Sequence, residues 1–218
     1  MNQVIDDTEL SIREHVHSLL KTQILRGELR KGTKLSEIPL SKQLGVSRTP
    51  VREAVQQLAK EGLVHIEAFK GARVSSLDAS EIDAIYTVRE CLDGLAALLA
   101  ACHRTKSDLQ NIRSALFRME AAHMGAYVEQ IQADLAFHAA IAKASQNDVL
   151  VQTLAGLADR VTQVRLLAQE YTQCQQSREG HHQIYDAIEA QLPVQAEAAA
   201  RAHVRAFRML IIDLQLIG

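Results

Sequence analysis

Asp134 and three histidines in the C-terminal half of the chain are residue types that bind divalent metal ions. Asp134 and His138 are four residues apart in QADLAFHAAI, so they lie on one face of a helix. His181 and His203 lie in the last two helical segments, among apolar or small residues. Together they could supply three imidazole nitrogens and one carboxylate oxygen to a zinc, nickel or manganese ion, with positions left open for water or a ligand.

Sequence spacing alone does not bring these four side chains together. A histidine taken singly is more often an ordinary core or surface residue than a metal ligand. His182 is the neighbour of His181 and an alternative ligand, whereas we expect His103 and His123 to lie on the surface. The metal site is therefore a hypothesis that depends on the fold.

Arg48 and Arg52 form a second group with a possible chemistry. Apolar residues recur at intervals of three, four and seven from Val51, which is typical of a helix face that packs on a core. The arginines then project outward, one turn apart and near the helix N-terminus, where guanidinium and backbone N–H groups can bind phosphates or guanine edges. Two exposed arginines alone are usually only solvated charge, so their context decides.

The surrounding elements predict a helix-turn-helix. Ser11 and Glu14 fit a capping box that begins a first helix, which ends near Gly27. A second helix is predicted over 36–44, followed by a tight turn at Gly45 and a third helix that Ser47 caps and that runs through residue 60. The third helix presents Arg48 and its neighbours.

A small β-hairpin is predicted directly after the third helix. Two β-like runs, 63–67 and 72–75, flank Lys70 and Gly71, which would form the turn. A hairpin with a basic tip at that place could enter a groove of DNA beside the one that holds the third helix. The N-terminal segment is thus predicted to be a winged helix-turn-helix.

The charge distribution agrees with a polyanionic partner. The net charge of −2 hides a difference between the two parts of the chain, because residues 1–77 hold 12 basic and 9 acidic residues whereas residues 78–218 hold 12 and 17. Between Arg26 and Arg73 there are 10 basic and 5 acidic residues, a local excess that makes nucleic acid a candidate partner. Small excesses of this kind are common, so charge alone favours a solvated basic surface.

The composition is that of an ordinary globular protein, with 218 residues, 47% hydrophobic and 23% charged. No apolar stretch approaches the length of about 18 residues that spans a membrane, and no signal peptide is visible, so we expect a cytoplasmic protein. Cys91, Cys102 and Cys174 lack metal-type spacing and are predicted to be reduced and mostly buried.

The C-terminal part is predicted to be an all-α antiparallel bundle of about six helices. Apolar residues recur with helical period from Glu81 onward, and no proline occurs in residues 78–192. Ser76 or Asp78 could cap the first of these helices. The chain is thus mainly α, with one domain over residues 1–76 and a second over residues 77–218.

The N-terminal sequence resembles the DNA-binding domain of GntR-family bacterial transcription regulators. RGELRKGTKLSEIPLSKQLGVSRTPVREAVQQLAKEGLV carries the resemblance, chiefly through GVSRTPVREAV and L-x-x-EGLV, and the match spans about residues 10–75. By this resemblance Arg48 and Arg52 contact the operator, Ser47 and Thr49 contact phosphates, and Gly71 reaches the minor groove. Many relatives have an arginine near the start of the second helix, where this chain has SEIP, so this chain departs from the family at one expected DNA contact.

The segment over residues 80–216 is similar to the ligand-binding domain of the FadR-like subgroup of that family. Its metal-binding members place an Asp, a His four residues later, and one His on each of the last two helices. The corresponding residues here are Asp134, His138, His181 and His203. HHQIYDAI resembles the His-x-x-Ile pattern of the subgroup, which selects His181 over His182.

Two further residues correspond to effector-binding positions of the subgroup. Arg89 in TVRECLDGLAA resembles an arginine that faces the pocket and pairs with a carboxylate ligand, although a surface ion pair with Glu90 or Asp93 is an alternative. Asn147 in ASQNDVL matches a pattern at a helix start, where capping and a polar contact in the pocket are both open.

The resemblance implies a homodimeric transcription regulator, not an enzyme, that binds a palindromic double-stranded DNA operator. A small carboxylic acid bound beside the divalent metal would modulate its operator affinity. One alternative is that the metal itself is the signal and no organic effector exists. A metal-dependent enzyme is a further alternative, disfavoured because no general base adjoins the ligands and no catalytic residue can be named.

Overall fold

The computed structural model divides into two compact units between Ser76 and Leu77. Among its described residues are nine helices and three short strands, which confirms the predicted mainly-α class. The structure describes residues 11–67, 70–122, 127–167 and 175–213.

The first unit contains three helices, α1 (Ile12–Leu25), α2 (Glu37–Leu44) and α3 (Arg48–Lys60). The capping box at the start of α1 forms as predicted, since the Glu14 N–H donates to Ser11 Oγ and the Ser11 N–H donates to a Glu14 carboxylate oxygen. The apolar face of α3 is buried, so the predicted turn-linked helices share one core with α1.

A three-stranded antiparallel sheet completes this unit, with β1 (Lys34–Leu35), β2 (Val64–Glu67) and β3 (Gly71–Val74). The strand β3 is central and pairs with both others. The hairpin of β2 and β3 is the predicted wing, and Gly71 begins β3 with φ +90°, a conformation that glycine adopts without steric strain. The strand β1 was not predicted, because two residues are too short to show an alternating pattern.

The second unit is the predicted bundle. An Asp78 capping box with Glu81 begins the first of its helices. Its core is rich in alanine, so the helices approach closely, and α4 packs most extensively against α9. The helices are α4 (Ala79–His103), α5 (Lys106–Ala122), α6 (Tyr127–Ala144), α7 (Asp148–Leu167), α8 (Gln175–Glu189) and α9 (Pro193–Asp213).

The cysteines differ from the sequence prediction. Cys91 and Cys102 are exposed on α4, so the expectation of buried thiols is wrong for these two, and Cys174 lies outside the described residues. Both lie on the side of α4 that faces away from the bundle core. The apolar character of cysteine therefore did not predict the exposure of these two residues. None of the helices over the described residues is long and apolar enough to cross a membrane.

Candidate functional site

Four side chains from three helices converge inside the bundle. Asp134 and His138 lie one turn apart on α6, His181 lies on α8 and His203 lies on α9. All four are buried, and one ligand atom from each lies within 4.8 Å of those of the others. The structure thus brings together the four residues that the sequence indicated. We call them the Asp134–His203 cluster.

His182 does not take part in this cluster. Its Nε2 lies 2.6 Å from Glu120 Oε1, and about half of its side chain is exposed. His181 and His182 are consecutive on α8, so they point to different sides of the helix. The His-x-x-Ile pattern indicated His181 rather than His182, and His181 is the one that lies in the cluster. His103 is exposed, and His123 lies outside the described residues.

The imidazole rings of the cluster are packed tightly. The ring centroids of His181 and His203 are 4.1 Å apart, and those of His138 and His203 are 5.4 Å apart. Phe137 is fully buried and places its ring edge-on against both His138 and His181. These contacts restrict the rotamers of the imidazoles and hold them close together.

Gly180 makes room for one of these rings. A Cβ atom at Gly180 would lie 2.7 Å from His203 Nδ1, which is closer than van der Waals contact allows. A glycine inside a helix is destabilising relative to alanine by roughly 0.5–1 kcal/mol. The close approach of the His203 ring to α8 gives the physical reason for this residue.

Several buried polar atoms of the cluster have no hydrogen-bond partner among the described residues. They are His138 Nε2 and both ring nitrogens of His181, whereas Asp134 Oδ2 pairs with the Arg165 guanidinium. His181 Nε2 and Asp134 Oδ1 are 3.1 Å apart but are not aligned for a hydrogen bond. Buried polar atoms of this kind are rare without a ligand or water, and the donor set is one that divalent transition metals prefer. The residues therefore fit a metal ion.

The electrostatics of the cluster favour the protonation states that metal ligands need. Burial raises the pKa of Asp134, but the Arg165 guanidinium, 2.7 Å away, and the neighbouring imidazoles outweigh burial and hold this pKa well below its usual range. Burial, together with nearby positive charge, holds the pKa values of His138 and His203 well below the usual value of about 6.5. The carboxylate is thus ionised and these two imidazoles are neutral near pH 7.

A cavity of about 320 Å³ adjoins His138. Arg89 and Asp93 from α4 also line it, and they form a buried ion pair with Arg89 Nε 2.9 Å from Asp93 Oδ2. Glu90, the other partner considered for Arg89, instead pairs with Arg205 of α9. Arg89 therefore has an ion pair with Asp93, as the alternative interpretation had it, but inside the bundle rather than on the surface.

Asn147 caps α7 and lies outside this cavity. The Leu150 N–H donates to Asn147 Oδ1 at 3.1 Å, and Asn147 lines a separate, open depression together with His103. The sequence left two roles open for Asn147, a helix cap and a polar contact in the pocket, and the structure shows the cap. Asn147 is not among the residues that line the cavity beside His138, so its contact with an effector stays a prediction.

The exposed face of α3 carries the residues predicted to bind DNA. Ser47, Arg48 and Thr49 are exposed at its start, and the Ser47 hydroxyl makes no capping hydrogen bond. Arg52 is exposed, but its Nε and Nη2 both donate to the Glu37 carboxylate, at 3.0 Å each. Glu37 belongs to the SEIP segment, where many relatives have an arginine. In this chain the segment instead supplies a carboxylate that binds the guanidinium of Arg52 on α3.

The wing contributes a further positive charge. Lys70 is largely exposed and its Nζ lies 2.7 Å from Glu67 Oε2. Gly71 follows it at the start of β3, and residues 68 and 69 lie outside the described residues. On the described part of the first unit, the exposed start of α3 and the basic end of the wing are two surfaces suited to phosphate groups.

Comparison with known proteins decides the family. The model for bacterial regulatory proteins of the gntR family matches residues 12–74, and the FCD domain model matches residues 84–206. The chain belongs to the GntR family. The resemblance noted in the sequence is thereby confirmed, and GntR regulators bind DNA operators. Members of the family are transcriptional regulators, not enzymes.

Relatives and solved structures agree with this assignment. The GntR chain is 32% identical to the Glc operon transcriptional activator of Escherichia coli (strain K12), over 97% of this chain and 93% of the relative. It is 34% identical to the HTH-type transcriptional regulator LutR of Bacillus subtilis, over 83% and 92%. A putative GntR regulator from Rhodococcus sp. RHA1 shares the fold, with a TM-score of 0.80, 23% identity and coverage of 94% and 99%.

Three residues of this GntR protein were missed in the sequence. Arg165 has no local pattern that distinguishes it from other helical arginines, and only the packing of α7 against α6 reveals its contact with Asp134. Glu37 was noted as a departure from the family, without its partner. Gly180 offered a usable signal, because a glycine in the middle of a helix commonly has a packing reason.

Proposed function

We propose that this GntR-family regulator changes its operator affinity when a carboxylic acid binds beside a divalent metal ion in the helical domain. The Asp134–His203 cluster is the observation that carries the proposal. It combines four potential ligands, buried atoms that lack partners and an adjoining cavity. The proposed domains are residues 1–76 for DNA binding and residues 77–218 for effector binding and dimerisation.

Asp134, His138, His181 and His203 would hold the ion, which would be zinc, nickel or manganese. When bound, the ion supplies a Lewis acid that can coordinate a carboxylate oxygen. Arg165 keeps Asp134 ionised, and Phe137 fixes two of the imidazoles. These contacts prepare the site before an ion arrives.

Arg89 supports a carboxylate as the ligand. Its guanidinium is buried at the cavity, next to His138, and can pair with a carboxylate in two parallel hydrogen bonds. Its ion pair with Asp93 orients the side chain, since Asp93 lies one turn along α4. A ligand that reaches both Arg89 and the cluster would link α4 to α6, α8 and α9.

The DNA contacts are proposed for the start of α3 and for the wing. Arg48 and Arg52 would contact base edges or phosphates, and Ser47 and Thr49 would contact phosphates. The exposure of these side chains supports the assignment. Lys70 and Gly71 at the wing would enter the minor groove. These six residues lie on the two elements, the third helix and the wing, with which such a domain would face the duplex.

A homodimer is supported by an apolar stripe along α4. The stripe has no covering among the described residues, with Val88 49% and Leu95 41% exposed. Its spacing alternates between four and three residues, which is the heptad pattern of two helices that pack side by side. Because a two-fold axis pairs the same surface of both subunits, a second copy of α4 fits this pattern. The stripe consists of Ala84, Val88, Cys91, Leu95, Leu98 and Cys102.

A homodimer and a palindromic operator each have a two-fold axis. With the two axes aligned, the third helix of each subunit would meet one half of the operator. The relatives named above are regulators of transcription, one of them of an operon. We propose that this chain likewise regulates transcription in the cytoplasm. The dimer would have two arrangements, one of which binds DNA more tightly. The acid would bind these arrangements with different affinities and so shift the equilibrium between them.

The test is operator affinity measured with and without metal and acid. An operator is first selected from random duplexes with the full-length protein, and binding is then followed by fluorescence anisotropy. We expect a shift in affinity only when zinc and a carboxylic acid are both present, and no shift in His138→Ala. A response to zinc alone would favour a metal sensor without an organic effector. No response to either would overturn the proposal.

A further inference from the structure

The cavity beside the Asp134–His203 cluster is lined mostly by apolar side chains. Ten of its thirteen lining residues are leucine, valine or alanine, and they come from α6 and α7. Among the described residues that line it, none carries a hydroxyl or amide side chain. The polar lining consists of Arg89, Asp93 and His138.

These three polar side chains form one patch rather than scattered points. Arg89 and Asp93 are paired, and Asp93 Oδ2 lies 3.7 Å from His138 Nδ1. The remaining wall, which includes Leu135, Leu154 and Val161, is apolar. A ligand would therefore meet charge at one end and hydrocarbon along the rest of its length.

This division selects between kinds of acid. A hydroxyl group buried against leucine and valine loses its hydrogen bonds to water and gains none. A methylene group in the same place gains about fourfold in affinity by leaving water. The wall thus disfavours polyhydroxy acids and favours acids with a hydrocarbon tail.

The volume indicates how many atoms of the acid the cavity encloses. A water-sized group takes about 30 Å³, so a cavity of about 320 Å³ accommodates roughly ten non-hydrogen atoms. That number corresponds to an acid of about six to eight carbons. Longer acids would extend into solvent through the open side of the cavity, near the exposed residues Ala139 and Ala155.

We propose that the effector is a carboxylic acid with a hydrocarbon tail of this length, its carboxylate near Arg89 and His138 and its tail between α6 and α7. This inference rests on the proposed function, because it names the class of acid that the same site takes. It separates this chain from a regulator built to bind a sugar acid or another hydroxyl-rich metabolite.

The test uses two six-carbon acids with the same head group. Gluconate and 2-hydroxyhexanoate share the carboxylate and the 2-hydroxyl and differ in the hydroxyls of the remaining carbons. Isothermal titration of the zinc-loaded, full-length protein should give at least tenfold tighter binding of 2-hydroxyhexanoate. Affinity should also rise about fifteenfold from 2-hydroxybutanoate to 2-hydroxyhexanoate, because two methylenes are added.

Variants of the cavity wall locate the tail. Ala139 and Ala155 are exposed, so leucine at either position narrows the cavity without disturbing the core. Ala139→Leu and Ala155→Leu should remove the gain with chain length and leave 2-hydroxybutanoate binding within about threefold. Ala198→Leu is the matched control, because Ala198 is an exposed alanine of α9 outside the cavity, and it should bind as the wild type does.

The outcomes separate this inference from the proposed function. If gluconate binds as tightly as 2-hydroxyhexanoate and shifts operator affinity, the tail assignment is overturned and the proposed function stands. If no acid binds the zinc-loaded protein or shifts operator affinity, both fail. If Ala139→Leu changes the sedimentation coefficient but not the chain-length preference, the cavity is part of a subunit contact and the ligand assignment is overturned.

Discussion

Gly180 of α8 lies against the His203 ring of α9, so closely that a methyl group on Gly180 would lie 2.7 Å from His203 Nδ1. Two of the three histidine-bearing helices of the cluster therefore fit together through a residue without a side chain. The consequence is that the geometry of the cluster depends on a residue that carries no ligand atom.

Gly180→Ala should weaken metal binding by about ten- to a hundredfold, the usual effect of disturbing a residue that supports a ligand. Alanine is the better helix former, so a loss of binding must come from displacement of His203. Competition titration with a zinc chelator measures the affinity. Gly156→Ala is the control, because a Cβ at Gly156 of α7 meets no atom within 4 Å. Equal affinities of the two variants would contradict the role assigned to Gly180.

Acid should destabilise the chelator-treated protein in a defined pH range. Burial, with Arg89 beside one ring and His181 beside the other, lowers the native pKa values of His138 and His203. Below about pH 6.5 the unfolded chain binds protons that these native imidazoles do not bind. The free energy of unfolding should therefore fall as the pH drops below 6.5, by about 1.4 kcal/mol per pH unit for each imidazole.

Urea unfolding of the chelator-treated protein at pH 7.5, 6.5 and 5.5 measures this dependence. His203→Gln replaces one titrating ring by a neutral amide, so its stability should fall less steeply over the same range. A slope for His203→Gln as steep as that of the wild type would show that His203 is protonated in the native protein and would remove the electrostatic argument for this ligand.

Arg52→Ala should weaken operator binding by about ten- to a hundredfold, the usual worth of a good arginine contact to a base. Anisotropy over a salt series measures the loss and separates a base contact from a phosphate contact, since only the latter lowers the salt dependence. Lys60→Ala removes an exposed charge at the other end of α3 and should have a much smaller effect. If Arg52→Ala binds the operator as the wild type does, the guanidinium serves only its ion pair with Glu37.

Leu95→Glu should convert the dimer to a monomer, because it would bury two carboxylates face to face in the proposed α4 contact. Sedimentation velocity measures the change in mass. Val194→Glu is the control, since Val194 is 72% exposed on α9 and lies outside the stripe. A Leu95→Glu protein that still sediments as a dimer would assign the contact to another surface.

Local chemistry determined how much of this fold could be predicted. The Ser11 and Asp78 caps and the apolar face of α3 are contained in short stretches of sequence, and the structure has them as predicted. The strand β1 has only two residues, and its pairing with β3 is a tertiary contact that no local pattern encodes.

The candidate site was predictable to the level of its residue types. The ligand set followed from the resemblance to a family, whereas spacing placed only Asp134 and His138 together. The contacts of Arg165, Gly180 and Glu37 join helices that are distant in the chain, so they require the packed structure. Arg89 and Asp93 are one turn apart and were recognised as a possible pair, but only packing shows that the pair is buried.

The metal content of tag-free protein purified without chelator tests the central claim most directly. Elemental mass spectrometry should find about one divalent ion per chain in the wild type, the same in His182→Ala, and little in His138→Ala. His182 is the matched control, because it neighbours a proposed ligand but pairs with Glu120 outside the cluster. No ion in the wild type, or an equal content in His138→Ala, would contradict the account.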